Sequence, residues 1–464
     1  MVFGSTSTFR APVRQSSSIA ESLVGPLFGS PAVDAALSDA AWLQAMLDFE
    51  AALAESEAHA GLVPSPLAAE IAAACHADAF DIAEIGQRSV TAGNPAAPLV
   101  RALMDILSPE AREYVHLGAT SQDVIDTAFS LMAQRALDAI LEDMSSVASA
   151  CAALAGTHGH TLMTARTLLQ PATPTTFGYK AAGWLVSVDE ARVLLGRVRF
   201  ERLAVQFGGA AGTLAALGGS GVEVAHRLAA RLGLAEPVLP WHTDRTRVAE
   251  LAAALGTAVG VAGKIGRDVA LLAQAEVAEA AEAEPGTSST LPHKRNPVRA
   301  VLILAAAARA PGLVGTVFGS MVQEHERAAG AWHAEWEPIR DLLRIAGGAS
   351  HHAAMLLGSL QVDPPRMAEN LAADGGLVMA ENLALQISHR AGRSTARDVV
   401  RRCSEEAMER RIAFADVVRG DAEVRRHLSD QEIAAALDPA GYLGSIEELI
   451  KRAQDAHRGA GASS

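Results

Sequence analysis

Between Val248 and Leu272 the chain sets Val248, Leu251, Leu255, Ala258, Ala262, Ile265, Val269 and Leu272 at alternating steps of three and four. That is the spacing by which an α-helix turns one apolar seam toward partner helices. Carried from Asp244 to Glu284, the pattern predicts a helix of about 40 residues, roughly 60 Å long at its 1.5 Å rise. Such a rod is longer than a small domain is wide, so it needs partners along its length. Gly256, Gly260, Gly263 and Gly266 fall inside it. Each costs about 1 kcal/mol relative to alanine in a helix interior. Either the helix breaks there or a neighbour packs very close. The unbroken apolar series favours close packing, in a bundle of long helices from several subunits.

Two more segments show the same spacing, one from Val124 to Leu154 and one from Ala181 to Val198. Aromatic residues make up only 4% of the chain, and alanine takes their place. That composition favours helix over strand, and no strand alternation or internal repeat stands out. The expected class is all-α, in three helical domains. An N-terminal domain covers 1–115, with residues 1–20 disordered. In it Pro31 opens a helix that includes Trp42–Glu50 and turns Leu43, Met46 and Leu47 to one face. A central long-helix domain covers 116–364. A smaller C-terminal domain covers 365–464, with helical patterns at Ala380–Ala391, Ser394–Arg410 and Gln431–Leu437 and a disordered tail from His457.

The net charge of −14 argues against a nucleic-acid or anionic-membrane binder. It leaves room for a small anionic substrate in a locally cationic pocket. The apolar run at Val301–Leu304 is far shorter than the ~20 residues of a membrane span. The N-terminus has no apolar core like that of a secretory signal. Cys75, Cys151 and Cys403 are far apart and imply no disulfide framework, so a reducing cytoplasm fits. His158-Gly159-His160 and His351-His352 do not have structural zinc spacing, and no metal is expected. Gly208-Gly209-Ala210-Ala211-Gly212 is not a dinucleotide fingerprint and reads as a tight turn. No cofactor is expected.

Polar chemistry gathers in a few blocks. His116-Leu117-Gly118-Ala119-Thr120-Ser121-Gln122-Asp123 precedes the first long segment. Thr120 with Asp123 resembles a capping box, and a helix N-terminus with free N–H groups also suits a carboxylate. Thr167 and Gln170 flank Leu168-Leu169 before a turn. Gln323–Arg327 and Trp332–Trp336 mix acids, bases and aromatics, as an ion-paired helix face or as part of a site. Residues 285–297, Pro-Gly-Thr-Ser-Ser-Thr-Leu-Pro-His-Lys-Arg-Asn-Pro, hold three prolines that exclude a regular helix. On composition alone this stretch is a solvated linker, yet it can also close hydroxyls and cations over an anion.

In combination these blocks resemble the fumarase/aspartase superfamily, whose signature reads GSSxMPxKxNP. Here Thr287 replaces the glycine and Leu291 the methionine. Within the superfamily, 206–218, 240–245 and 323–337 are similar to the lactone-forming cycloisomerases of protocatechuate catabolism. The likeness covers about Leu27 to Leu443. It implies a homotetramer whose active sites are shared between subunits, a small tricarboxylate substrate, and neither metal nor cofactor. It gives Ser288 the proton transfer, Lys294, Asn296 and Arg327 the substrate carboxylates, and Thr120, Ser121, Gln122, Thr167, Gln170 and His116 supporting contacts. Many lyases of the superfamily carry histidine in an RTHxQ block where this chain has Leu168, which argues against an adenylosuccinate lyase. Related cycloisomerases often have tryptophan there. The alternatives are a fumarate-releasing lyase and a non-catalytic helical scaffold.

Overall fold

The computed structural model describes residues 23–286, 290–291 and 293–461. The expected N-terminal tail and Thr287, Ser288, Ser289 and Pro292 lie outside the described residues. The rest is mostly helical, in line with its composition and spacing. Chain order runs α1 (Pro31–Ala36), α2 (Asp39–His59) and four shorter helices, α3 (Ser65–Ala74), α4 (Ile82–Ala92), α5 (Ala96–Asp105) and α6 (Pro109–Arg112). Then come α7 (Ser121–Thr157), the hairpin β1 (Leu162–Thr167) and β2 (Gln170–Thr176), α8 (Phe177–Arg197), α9 (Gly221–Leu232) and α10 (Thr246–Leu272). After β3 (Ala280–Ala281) follow α11 (Val298–Gly319), α12 (Ala331–Ala334), α13 (Trp336–Gly358), β4 (Gln361–Val362) and α14 (Pro364–Ala372). The C-terminal helices are α15 (Ala380–Ala391), α16 (Arg393–Arg410), α17 (Phe414–Gly420), α18 (Ala422–His427), α19 (Asp430–Ala436) and α20 (Ile446–Gly461).

The described chain forms two interleaved units. The first draws on Met1–Ile140, Gly196–Gly256 and Arg309–Gly348, the second on Leu141–Leu195, Thr257–Ala308 and Ala349–Ser464. The long helices α7, α10, α11 and α13 contribute residues to both. In α10 the glycines do not break the helix. A Cβ on Gly256 would lie 2.8 Å from Val314, on Gly263 2.7 Å from Ala307, and on Gly266 3.0 Å from Ile303. These glycines let α11 approach, while Gly260 faces open space.

Several boundaries differ from those read in the sequence. α10 stops at Leu272 instead of running to Glu284, because Glu279 N–H and then the β3–β4 pair redirect the chain. Pro31 opens only α1. A separate helix starts after Ser38, whose hydroxyl accepts the Ala41 N–H, and it buries Leu43, Met46 and Leu47. The hairpin β1–β2 was not foreseen. Pro171 and Pro174 in β2 leave little alternation to read, and a register shift lies between Thr164 and Arg166. Residues after His457 are helical to Gly461 rather than disordered. The C-terminal patterns, by contrast, match α15, α16 and α19. Their apolar faces meet in a cluster that includes Leu383, Ile387, Val399, Cys403, Phe414 and Ile433. Cys75, Cys151 and Cys403 are buried and unpaired.

Candidate active site

In the first unit the site begins at the N-terminus of α7. His116 has φ of +62°, a left-handed conformation that costs any residue with a Cβ. Its Nδ1 lies 2.7 Å from Oε1 of Glu50 on α2, and Glu50 is buried. Burial lowers the affinity of His116 for its proton, but the charge and hydrogen bond of Glu50 outweigh burial and hold its pKa above the ordinary value. Thr120 uses its two ends differently. Its N–H donates to Asp123 Oδ2 at 3.0 Å, half of the capping box. Its hydroxyl accepts Nη1 of Arg327 at 2.8 Å. Ser121 is half-buried in the first turn. Gln122 is fully buried. It donates to Asp126 Oδ2 at 3.1 Å and to the His242 carbonyl at 2.8 Å.

The tight turn read at Gly208–Gly212 is present and completes this cluster. Arg327 Nη2 donates to the Ala210 carbonyl at 3.0 Å and to the Gly209 carbonyl at 3.4 Å. Half-buried Arg327 thus has uncharged acceptors, and among the described residues it forms no ion pair. A guanidinium fixed by neutral oxygens keeps its charge for an anion, and its planar fork suits a carboxylate.

Deeper in the same unit lies a buried ionic core. Arg245 bonds both oxygens of Asp126, at 2.8 and 3.0 Å, and both oxygens of Glu335, the shortest contact being 2.7 Å. Trp332 Nε1 donates to Asp126 at 2.9 Å and Gln323 Nε2 to Glu335 at 2.9 Å. All three ionic side chains are under 5% exposed. Burial raises the Glu335 pKa against the pull of Arg245. The 323–337 block is therefore not an ion-paired solvent face. Its acid and tryptophan close a core.

The second unit holds the rest. Thr167 and Gln170 pair at the tip of the hairpin. Between them Leu168 and Leu169 have φ of +50° and +68° and are 97% and 75% exposed. Two consecutive left-handed residues make the tight turn that usually takes Asn-Gly. Arg166 anchors the hairpin through two bonds to the fully buried Glu279, at 2.6 and 2.9 Å, and Asn370 of α14 adds a third at 2.8 Å. The loop at 285–297 is closed at its base by Gly286 and Asn296, which exchange backbone hydrogen bonds of 2.9 and 3.1 Å. Glu282 then caps α11, accepting the N–H groups of Arg299 and Ala300. Lys294 is exposed and Asn296 half-buried, and both line a cleft with Leu291, His293 and Asp363. Ser288 lies outside the described residues. A Cβ on Gly286 would fall 2.3 Å from Val298. Gly286→Ala is therefore expected to lower stability by about 1–3 kcal/mol, as overpacked sites do, and turnover with it. Thermal unfolding and a rate assay check this.

The chain matches the Lyase family over residues 30–312 and the adenylosuccinate lyase C-terminus over residues 376–453. It is 46% identical over 439 residues to the 3-carboxy-cis,cis-muconate cycloisomerase of Bradyrhizobium diazoefficiens, covering 93% of this chain and 97% of that one. The chain belongs to the fumarase/aspartase superfamily. A second member, the nitrosuccinate lyase of Streptomyces davaonensis, is 42% identical over 460 residues, covering 96% and 97% of the two chains. The crystal structure of 3-carboxy-cis,cis-muconate lactonizing enzyme from Pseudomonas putida superposes with a TM-score of 0.90 at 43% identity, over 94% of this chain and 99% of that one.

As a member of the superfamily the chain carries its signature loop and the polar start of α7 in different units. Sequence reading assigns no individual role to Glu50 or Asp126, nor to His242, Arg245 and Glu335, although these last three lie in the blocks 240–245 and 323–337 that it singles out. A signal was available. Asp123, Asp126 and Ser130 recur at steps of three and four on α7, where an apolar seam belongs, and all three are buried. Polar residues at core positions need buried partners, and the 240–245 and 323–337 blocks supply them.

Proposed function

We propose that the protein is a cycloisomerase that converts 3-carboxy-cis,cis-muconate to 4-carboxymuconolactone. One substrate carboxylate adds within the molecule to a double-bond carbon, and a proton goes to the carbon α to another carboxylate. The observation that carries this reading is the 46% identity to an enzyme of that name across 93% of the chain. The uncompensated guanidinium of Arg327 supports it, because a tricarboxylate needs cations that no protein carboxylate has neutralised. The difficult species is an aci-carboxylate, a dianion spread over the α-carbon and its carboxylate, which fixed donors and cations stabilise. In this reading Ser288 transfers the proton. Lys294, Asn296 and Arg327 hold carboxylates. Thr120, Ser121, Gln122, Thr167, Gln170 and His116 supply supporting contacts. Ring closure is intramolecular, so the protein mainly selects a reactive conformer.

The active unit in this reading is a cytoplasmic homotetramer with shared sites, and the sequence divides into segments 1–115, 116–364 and 365–464. By length and composition α7, α10 and α11 would pass for membrane spans, but in α11 only 22% of the most apolar window is buried within the chain. We assign that free apolar surface to other copies of the chain rather than to lipid.

A second reading is a lyase that releases fumarate from a substituted succinate. The near-full-length relative named nitrosuccinate lyase favours it. Lactonization read backwards is a β-elimination with carboxylate as leaving group, and nitrite is also a planar two-oxygen anion. Incubation with 3-carboxy-cis,cis-muconate should remove the diene absorbance. Fumarate and nitrite formed from nitrosuccinate, with the diene untouched, would replace the first reading by the second. Ser288→Ala is expected to lower kcat by roughly a hundred- to ten-thousandfold, the usual span for a general acid or base, with the oligomer intact by light scattering. Activity within threefold of the parent removes Ser288 from its role.

A further inference from the structure

This inference rests on the reading of Arg327 as a carboxylate-binding residue. Other arginines of the first unit, Arg245, Arg340 and Arg344, each meet a carboxylate. Arg327 instead rests on Thr120 Oγ1 and on the carbonyls of Gly209 and Ala210. Two separate stretches of chain therefore set its direction, the start of α7 and the turn after Phe207.

One side chain joins those stretches. Asp123 is fully buried. Its Oδ2 accepts the N–H of Thr120 at 3.0 Å and of Gly209 at 2.9 Å. Its Oδ1 accepts the N–H of Gly208 at 3.1 Å and Nε2 of His242 at 2.7 Å. Four donors fill the acceptor sites of the carboxylate. Two of them belong to Thr120 and Gly209, the residues whose oxygens receive Arg327. The turn is shaped for this contact. Gly209 has φ of +70°, and a Cβ there would lie 2.6 Å from the Gly118 carbonyl. A Cβ on Gly208 would lie 2.7 Å from Pro240. A helix cap needs only the Thr120 bond. It explains neither the two glycine N–H groups nor the histidine.

We propose that Asp123, steadied by His242, is a positioning residue that fixes the Thr120–Gly209 cradle and so aims the Arg327 guanidinium at a substrate carboxylate. Asp123 does not touch substrate. Asp123→Asn turns an N–H₂ toward the backbone donors and loosens the cradle without changing its volume.

The test is a double-mutant cycle over Asp123→Asn and Arg327→Ala. It is read both as kcat and KM and as calorimetric binding of tricarballylate, a tricarboxylate that cannot react. Asp123→Asn should weaken tricarballylate binding and raise KM by about tenfold, and the double variant should be no worse than Arg327→Ala alone, because coupled residues do not add. Additive losses, or an Asp123→Asn variant within twofold of the parent, overturn the proposal. His242→Gln, which keeps a donor, should stay within threefold of the parent while His242→Leu loses about tenfold. Equal loss in both also overturns it, and this pair decides if Asp123→Asn does not fold. A parent that binds no tricarballylate sinks the inference. A parent that binds it but turns over neither 3-carboxy-cis,cis-muconate nor nitrosuccinate sinks only the functional reading.

Discussion

Replacing Arg245 by methionine should cost about 3–5 kcal/mol of stability near neutral pH, the range for breaking a buried ion pair by removing one partner. Methionine fills most of the space but leaves Asp126 and Glu335 facing each other without a cation. Both are under 5% exposed, and Arg245 donates to all four of their oxygens. In the parent, burial already raises the Glu335 pKa, and only Arg245 and the Gln323 amide pull it back. Without the guanidinium that pKa rises further. The variant's native state then holds a proton that its unfolded state has released, so its deficit shrinks as pH falls toward 4 and grows as pH rises. Denaturant midpoints across pH measure this. The combination Arg245→Met with Asp126→Asn and Glu335→Gln should recover most of the loss, since apolar or neutral replacement of a whole buried ionic group is often harmless. A single variant within 1 kcal/mol of the parent at pH 7 would show that the core is not held by this pair.

What the sequence made legible follows from periodicity. Steps of three and four place a residue on a helix face wherever the helix lies, so α7, α8 and α15 were readable to within a few residues. The C-terminal end of α10 was not, because a β-pair at Ala280 and Gln361 follows the helix and that partner is about eighty residues away. The hairpin failed for a local reason. Its two prolines, and leucines at a turn that prefers Asn-Gly, hide both strand and turn.

The site was legible as blocks but not as bonds. The resemblance pointed to Thr120 and Arg327, and the structure joins them by a 2.8 Å hydrogen bond across 207 residues. Sequence reading makes Asp123 only a helix cap and gives His242 no role of its own within the 240–245 block, because both act through the backbone they hold. Sequence spacing within a helix reports neighbours. It does not report which distant amide a carboxylate will meet.

Glu57→Gln should stabilise the protein at pH 9 by on the order of 5 kcal/mol and leave it unchanged near pH 4, at about 1.4 kcal/mol per unit of pKa shift. Glu57 is fully buried on α2, and among the described residues neither carboxylate oxygen has a hydrogen-bond partner. Burial, helped by Glu50 two turns away, pushes its pKa from 4.5 up to about 9. Between those values the folded chain keeps a proton that the unfolded chain has lost, so stability falls as pH rises from about 4.5 to about 9. Glutamine removes the titration with nearly the same shape. His116 also has a raised pKa and also loses its contribution as pH rises, but it is present in both proteins and cancels in their difference. Parallel stability curves for parent and variant from pH 4 to 9 would mean that Glu57 does not titrate in the native state. Curves that meet at low pH and separate steadily above 5 would identify it as the buried acid that makes this helical unit more stable in acid than in base.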